Sequence, residues 1–137
     1  MLDALKSYFH RVHQLYKSQR EGRTRTIYTI THNEDAMTVS WLTIENETGQ
    51  KILHWRDVVR VQAFKRDVMV VDMMCLAFTG ANVIDIEINE EMSGFEPLVQ
   101  TLPTYLPGCQ KFEEWFFTVA FPAFELNLTT IYERPSP

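Results

Sequence analysis

The N-terminal residues have the spacing of an amphipathic helix. Apolar side chains recur there at intervals of three and four, with basic and polar residues between them, at Leu2, Leu5, Phe9, Val12, Leu15 and Tyr16. Because an α-helix repeats about every 3.6 residues, this spacing predicts a helix over residues 2–20 that ends at Gly22. Such a stripe packs on the rest of the domain, or lies on a membrane with Lys6, Arg11 and Lys17 toward the headgroups.

From residue 26 the hydrophobic period changes to two, which is typical of β-strands. Turn-forming residues separate the alternating runs, at His32-Asn33-Glu34-Asp35, Lys65-Arg66-Asp67 and Gly80-Ala81-Asn82. The pattern predicts six strands in a meander, over residues 26–31, 37–41, 50–53, 58–64, 68–78 and 83–88. The run 68–78 is apolar on both faces, which indicates that a helix or a second subunit covers its outer face.

Helical spacing returns in the C-terminal third of the chain. It predicts a helix over Gly94–Leu102 that Pro103 and Pro107-Gly108 close, and a second helix over Phe112–Phe121 that ends at Pro122. Leu126–Tyr132 is either a last strand or an extended segment. The chain is therefore predicted to be α+β, with a curved antiparallel sheet of about six to seven strands between an N-terminal helix and one or two C-terminal helices.

We expect residues 1–137 to form a single domain, because no linker-like stretch divides the chain. Its expected parts are the N-terminal helix in residues 1–22, a strand meander with a capping helix in residues 26–106, and a helix with an extension in residues 107–137. A length of 137 residues allows one hydrophobic core without disulfide or metal cross-links.

Charge is distributed unevenly along the chain. The net charge is −5, which argues against general nucleic-acid binding. Residues 1–25 hold six basic and two acidic residues, a local charge of +4, and the rest holds seven basic and sixteen acidic residues, a charge of −9. This asymmetry indicates an anionic partner for residues 1–25 and a basic partner for the rest of the chain, or docking of residues 1–25 on the rest of the chain.

No secretory signal and no apolar stretch of bilayer length is visible, so we expect a cytoplasmic protein. Cys75 and Cys109 are far apart and fit no metal or redox motif, which predicts two free thiols. His10 and His13 share a helix face at a spacing that permits a metal site without demanding one. Nothing resembles a nucleophile elbow or a phosphate loop, so we expect no catalytic residue, metal or cofactor.

Asp72 is the most unusual single residue, because it interrupts an apolar strand. A buried carboxylate destabilises a fold unless it is paired. One interpretation is a partly desolvated acid at a functional site. The other is a structural carboxylate bonded to a basic side chain of the adjoining strand or hairpin, with three candidates at Arg60, Lys65 and Arg66.

Two groups of residues are candidates for binding a partner. The first is the densest acidic group of the chain, Asp85, Glu87, Glu90 and Glu91. These carboxylates suit a basic protein surface or a divalent metal, or they form a solvated face. The second is the aromatic pair Trp115 and Phe116, in a segment whose aromatic side chains cover more than one helix face. Such an excess belongs either to an interface or to the core.

A resemblance to known proteins is carried by residues 26–106, on four stretches: Trp55-Arg56-Asp57-Val58, Lys65-Arg66-Asp67 with the strand around Asp72, Ile86-Glu87-Ile88-Asn89-Glu90-Glu91, and the helix at Gly94–Leu102. They look like small bacterial proteins of unknown function, and their order resembles pleckstrin-homology-like modules. The resemblance implies a meander that curls into a barrel or sandwich capped by a helix, in a fold used mainly as a scaffold for binding.

The leading functional hypothesis is a non-enzymatic protein-binding module of the immunity or adaptor type, because a small acidic domain suits capture of a basic protein. An alternative is peripheral membrane binding through helix 2–20. A third is a small-molecule binder or enzyme around Asp72 with His54 or Glu90. Homodimerisation is compatible with each of them.

Overall fold

The computed structural model describes residues 26–68, 71–81, 85–122 and 126–135. The predicted helix over residues 2–20, with His10 and His13, lies outside these residues. The described strands are β1 (Ile27–His32), β2 (Ala36–Leu42), β3 (Thr48–His54), β4 (Val58–Val68), β5 (Val71–Gly80), β6 (Asp85–Asn89) and β7 (Thr129–Glu133). The described helices are α1 (Phe95–Tyr105) and α2 (Phe112–Ala120), and a single 3-10 turn, Trp55–Asp57, precedes β4.

The strands form two antiparallel sheets, of three and four strands. The first sheet has the order β1-β2-β3 and the second the order β6-β5-β4-β7. The predicted meander is therefore divided between β3 and β4, where the 3-10 turn redirects the chain. β7 follows both helices along the chain and pairs with β4, so the last strand, rather than an extended segment, is confirmed. The α+β class is confirmed as well, and the sheets do not close into a barrel among the described residues.

One prediction about the turns is wrong, because Lys65, Arg66 and Asp67 lie within β4. Alternation places Lys65 on the inner side of the sheet and Arg66 on the outer side. Each charge has an acidic partner there, Lys65 with Asp72 and Arg66 with Glu87. These ion pairs allow the charged residues to continue the strand instead of ending it.

The main core lies between the two sheets and the helices. The alternating apolar residues of both sheets point into it, including Met37 and Val39 of β2 and Leu76 and Phe78 of β5. The helices contribute their buried faces to the same cluster, Phe95, Leu98, Val99 and Leu102 from α1 and Phe112, Trp115, Phe116, Val119 and Ala120 from α2. Both helices therefore pack on the side of the second sheet that faces the first.

Helix α1 begins at a glycine that no other residue could replace easily. Gly94 has a φ of +93°, and a Cβ built there would lie 2.1 Å from the Ile30 carbonyl oxygen. The close approach brings Ser93 beside β1, where the Ile30 N–H donates to the Ser93 carbonyl at 2.7 Å. The helix continues through Pro103 to Tyr105, so the prediction that Pro103 closes it is wrong. Burial of Leu102 and Leu106 on either side of Pro103 holds the last turn in place.

Candidate binding groove between the sheets

The structure assigns Asp72 a partner from the adjoining strand. The Lys65 side chain is 1% exposed, and its Nζ donates to Asp72 Oδ2 at 3.3 Å. The same Nζ donates to the carbonyl oxygens of Ala120 and Pro122 at 2.9 and 2.5 Å. Lysine Nζ has three protons, so one ammonium joins β5 to the C-terminal end of α2. Of the three basic candidates for pairing with Asp72, the structure therefore selects Lys65.

Glu90 and Glu91 lie apart from the other two residues of the acidic group. Both are partly buried, and Glu90 Oε1 accepts the N–H of Met74 at 2.7 Å. Burial raises the pKa of Glu90 to about 8, and the nearby carboxylates of Glu91 and Asp72 act in the same direction, whereas the bond from Met74 opposes the shift. Glu90 therefore faces the protein, whereas Asp85 and Glu87 face solvent on β6.

Trp115 and Phe116 are buried in the main core, each 2% exposed. Their rings pack against Phe112 edge to face, with centroids 5.0 Å apart in both pairs. This burial favours the core interpretation of the aromatic segment, and neither side chain is available on the described surface. The exposed aromatic residues of this region are Phe117 and Phe121, which stack with their centroids 6.0 Å apart.

A groove of about 500 Å³ opens between the two sheets. The first sheet contributes Tyr28, Val39, Trp41 and Lys51, and the second contributes Asp85, Ile86, Glu87 and Asn89 of β6, with Met92 beyond its end. We refer to this set of residues as the groove. It brings two of the predicted partner-binding residues, Asp85 and Glu87, together with aromatic residues distant in sequence.

Strand register explains why these side chains meet on one face of the first sheet. Tyr28 of β1 pairs with Trp41 of β2, and Trp41 pairs with Gly49 of β3. Directly paired residues of antiparallel strands point to the same side, so Tyr28 and Trp41 are neighbours. The Trp41 ring lies over Gly49, where a Cβ would be 2.3 Å from Cζ2. Gly49 therefore provides the space that the indole occupies.

The charged groups of the groove lie at its rim. Arg66 binds Glu87 through two nitrogens, Nη2 to Oε1 at 2.6 Å and Nε to Oε2 at 3.1 Å. Asp85 and Lys51 are exposed on opposite sides of the opening. Tyr28, which lines the same groove, is 39% exposed. The arrangement suits a ligand with an apolar portion over the aromatic rings and a cationic group beside β6.

A second cavity, of about 490 Å³, lies on the other face of the first sheet. Its lining is Ile27, Thr29, Ser40, Trp41, Leu42, Thr48, Gly49 and Gln50. It lacks charged side chains, and it shares Trp41 with the groove. Asp72 and Glu90 line neither cavity.

Sequence reasoning missed the side chains that the first sheet supplies, Tyr28, Trp41 and Lys51. A signal was present, because Trp41 and Gly49 lie on either side of the turn over residues 43–47, at a spacing that a hairpin pairs. What the sequence could not supply was the approach of β6 to this hairpin, which depends on how the two sheets pack.

Within the described ranges, no group of three or more histidine, cysteine, aspartate or glutamate side chains is arranged to hold a metal ion. Both cysteines are free thiols, as predicted, and both are buried. None of the helices in the described part of the chain has the length and apolar character needed to cross a bilayer. Comparison of the chain with protein-family models, with curated proteins and with solved structures finds no match.

Proposed function

We propose that this chain is a non-enzymatic protein-binding module that engages a basic segment of a partner protein through the groove. The observation that carries the proposal is the juxtaposition of two partly exposed aromatic side chains, Tyr28 and Trp41, with the acidic edge strand β6. Tyrosine and tryptophan are the residues that most often dominate the energy of protein interfaces. They offer large, rigid contact area beside charges that select the partner.

The charge balance supports a basic partner. Residues 26–137 contain sixteen acidic and seven basic residues. Three of the basic side chains are already engaged within the fold, Lys65 with Asp72, Arg60 with Glu133 and Arg66 with Glu87. The acidic excess accelerates the approach of a cationic protein, in a manner that weakens as salt is added.

The geometry gives less support to a small-molecule or catalytic site around Asp72. Its carboxylate is joined to a buried ammonium, and Glu90 accepts a backbone N–H from β5. Both groups contribute to packed structure and line neither cavity. His54, the third residue assigned to that site, is the last residue of β3, and it lines neither cavity either.

The finer description of the fold is part of the same proposal. We interpret the two antiparallel sheets and α1 as a pleckstrin-homology-like scaffold, supported by the strand meander that leads into a helix. β7 departs from the simple module, since it follows the helices.

We place the protein in the cytoplasm, in keeping with its two free thiols. An immunity-type or adaptor protein is the concrete form that fits an acidic surface and a basic target.

The test uses affinity capture from cells with the tagged full chain, followed by binding isotherms with the purified partner. The groove variants are Trp41→Ala and the double variant Asp85→Asn with Glu87→Gln. The matched control neutralises two exposed carboxylates elsewhere, Glu34→Gln with Glu113→Gln. We expect Trp41→Ala to weaken binding at least about tenfold, as an interface hot spot does.

The acidic double variant is expected to slow association and to reduce its salt dependence, whereas the control binds like the wild type. A partner that binds both groove variants as tightly as the wild type would refute the groove as the binding surface. Circular dichroism of each variant checks that the fold is retained.

A further inference from the structure

The second sheet has an apolar patch on its outer face, away from the main core. Phe64 of β4 and Met73, Cys75 and Ala77 of β5 form it, and Phe64 pairs directly with Cys75. Phe64, Met73 and Cys75 are 6%, 7% and 0% exposed, respectively. These values are those of core residues, although the cluster is separate from the main core.

None of the helices or strands in the described ranges packs on this patch. Both helices join the main core, on the inner side of the sheet. Arg66 covers part of the patch, with its guanidinium carbon 5.3 Å from the centre of the Phe64 ring. One arginine side chain, itself 54% exposed, is too small to exclude water from three apolar side chains. The burial of the patch therefore calls for a cover from another part of the chain.

The lengths of the segments outside the described ranges indicate which of them covers the patch. The internal ranges outside the described residues, 69–70, 82–84 and 123–125, have two or three residues each, and residues 136–137 add only two more. Among the ranges outside the described residues, 1–25 is the one stretch long enough to lie across two strands. We propose that the outer face of β4 and β5 is the docking site for the chain's own N-terminal segment, residues 2–20, with its apolar stripe on Phe64, Met73 and Cys75.

The dimensions and the point of entry fit this assignment. A helix over residues 2–20 is about 28 Å long, and a ten-residue strand such as β5 is about 33 Å long. Tyr28, near the start of β1, lines the groove together with Glu87, and Glu87 binds Arg66 beside the patch. A connection of five residues spans at most about 17 Å, which is enough to join the start of β1 to the edge of this face.

Charge is complementary as well. Residues 1–25 carry a charge of +4, and the rim of the patch along β6 carries the exposed carboxylates of Asp85 and Glu87. Glu87 already pairs with Arg66, so Asp85 is the carboxylate of this rim that has no cation assigned to it by the ion pairs of the described residues. Basic side chains between the apolar residues of the stripe would lie along this rim. Docking in this way removes an apolar surface from solvent, which would otherwise favour self-association.

Cys75 provides a direct readout in the full-length protein. Its thiol lies in the centre of the patch, and Cys109, buried in the main core, is an internal reference for global unfolding. Burial raises the pKa of both thiols to about 12, so each thiol reacts slowly until opening of the fold exposes it. Alkylation by N-ethylmaleimide, with each site quantified by mass spectrometry, gives the rate at Cys75 relative to Cys109.

Two substitutions of equal charge distinguish the faces of the predicted helix. Phe9→Asp places a carboxylate on the apolar stripe, whereas Ser7→Asp places one on the opposite face. We expect Phe9→Asp to raise the relative rate at Cys75 at least about tenfold, by favouring local opening, and Ser7→Asp to leave it unchanged. An unchanged rate in Phe9→Asp, in a protein that retains its far-ultraviolet spectrum, would overturn the proposal.

Cross-linking identifies the occupant without any substitution. A carbodiimide joins Lys6 or Lys17 to Asp85 or Glu87 when the segment docks, and a mixture of ¹⁴N- and ¹⁵N-labelled chains separates links within one chain from links between chains. We expect links within one chain. Links only between chains would mean that a second copy covers the patch, and protection of Cys75 only with anionic vesicles would mean that lipid does; both outcomes overturn the proposal.

Discussion

The buried ammonium of Lys65 allows a quantitative test of the fold. Replacement of Lys65 by methionine keeps an unbranched side chain of similar length but removes the charge and its three hydrogen bonds. The carboxylate of Asp72, 10% exposed, then loses its counter-charge, and the carbonyl oxygens of Ala120 and Pro122 lose their donor. The change therefore affects β5 and the end of α2 together.

The magnitude follows from what remains buried. Removal of one partner of a buried ion pair typically destabilises a protein by about 3–5 kcal/mol, since the other charge is left uncompensated. A domain of this kind has a total stability of about 5–15 kcal/mol, so the loss is a large fraction of it. We expect Lys65→Met to lower the free energy of unfolding by about 3–5 kcal/mol.

Urea unfolding monitored by circular dichroism measures this loss. The exposed lysine variant Lys51→Met is the control, for which a change within about 0.5 kcal/mol is expected. In the double variant Lys65→Met with Asp72→Leu, the buried carboxylate is removed together with the ammonium, so part of the lost stability should return. A loss below about 1 kcal/mol in Lys65→Met, or a double variant as unstable as the sum of the single variants, would refute the assigned role of this ion pair.

Two further predictions concern Glu90 and Gly49. The pKa of Glu90 is raised to about 8 in the folded state, from an ordinary value of 4.5. The stability that the Glu90 carboxyl group contributes is therefore complete below about pH 4.5. It is lost as the pH rises to 8, by ~1.4 kcal/mol for each pH unit between these two values. Glu90→Gln, which still accepts the Met74 N–H, should flatten the pH dependence of the urea midpoint between about pH 5 and 8. The control is the exposed variant Glu34→Gln, and a slope in Glu90→Gln equal to that of the control would contradict this prediction. Gly49→Ala should displace the Trp41 ring, because the added Cβ would overlap it, with a stability loss of about 1–3 kcal/mol. We expect the displaced ring to increase acrylamide quenching of tryptophan fluorescence and to weaken partner binding. Quenching equal to that of the wild type would contradict this prediction.

Hydrophobic periodicity was sufficient to predict most of the secondary structure. The alternation over residues 58–64 and the helical spacing over 112–121 correspond to β4 and α2 in the structure. These patterns depend on which side of each element is buried, and that information is local. The ends were less predictable, because Lys65 and Arg66 are turn-like by composition and were kept in β4 by carboxylates from other strands.

The environment of Asp72 was partly decided by sequence. A carboxylate in an apolar strand requires a partner, and the basic candidates were few. Alternation in the β4–β5 hairpin then places Lys65 on the same face as Asp72 and Arg66 on the opposite face, as the pairing of Lys65 with Met74 shows. Burial of that face, which makes the pair important for stability, depends on the position of α2.

The sequence by itself determined the α+β class, the approximate strands and helices, and the free state of both thiols. Only the tertiary structure decided that the strands divide into two sheets, that Trp115 and Phe116 are core residues, and that Tyr28 and Trp41 meet β6 in a groove. The physical reason is that burial in a single element is encoded by neighbours a few residues apart. The packing of one sheet on another depends instead on side chains brought together from the whole chain.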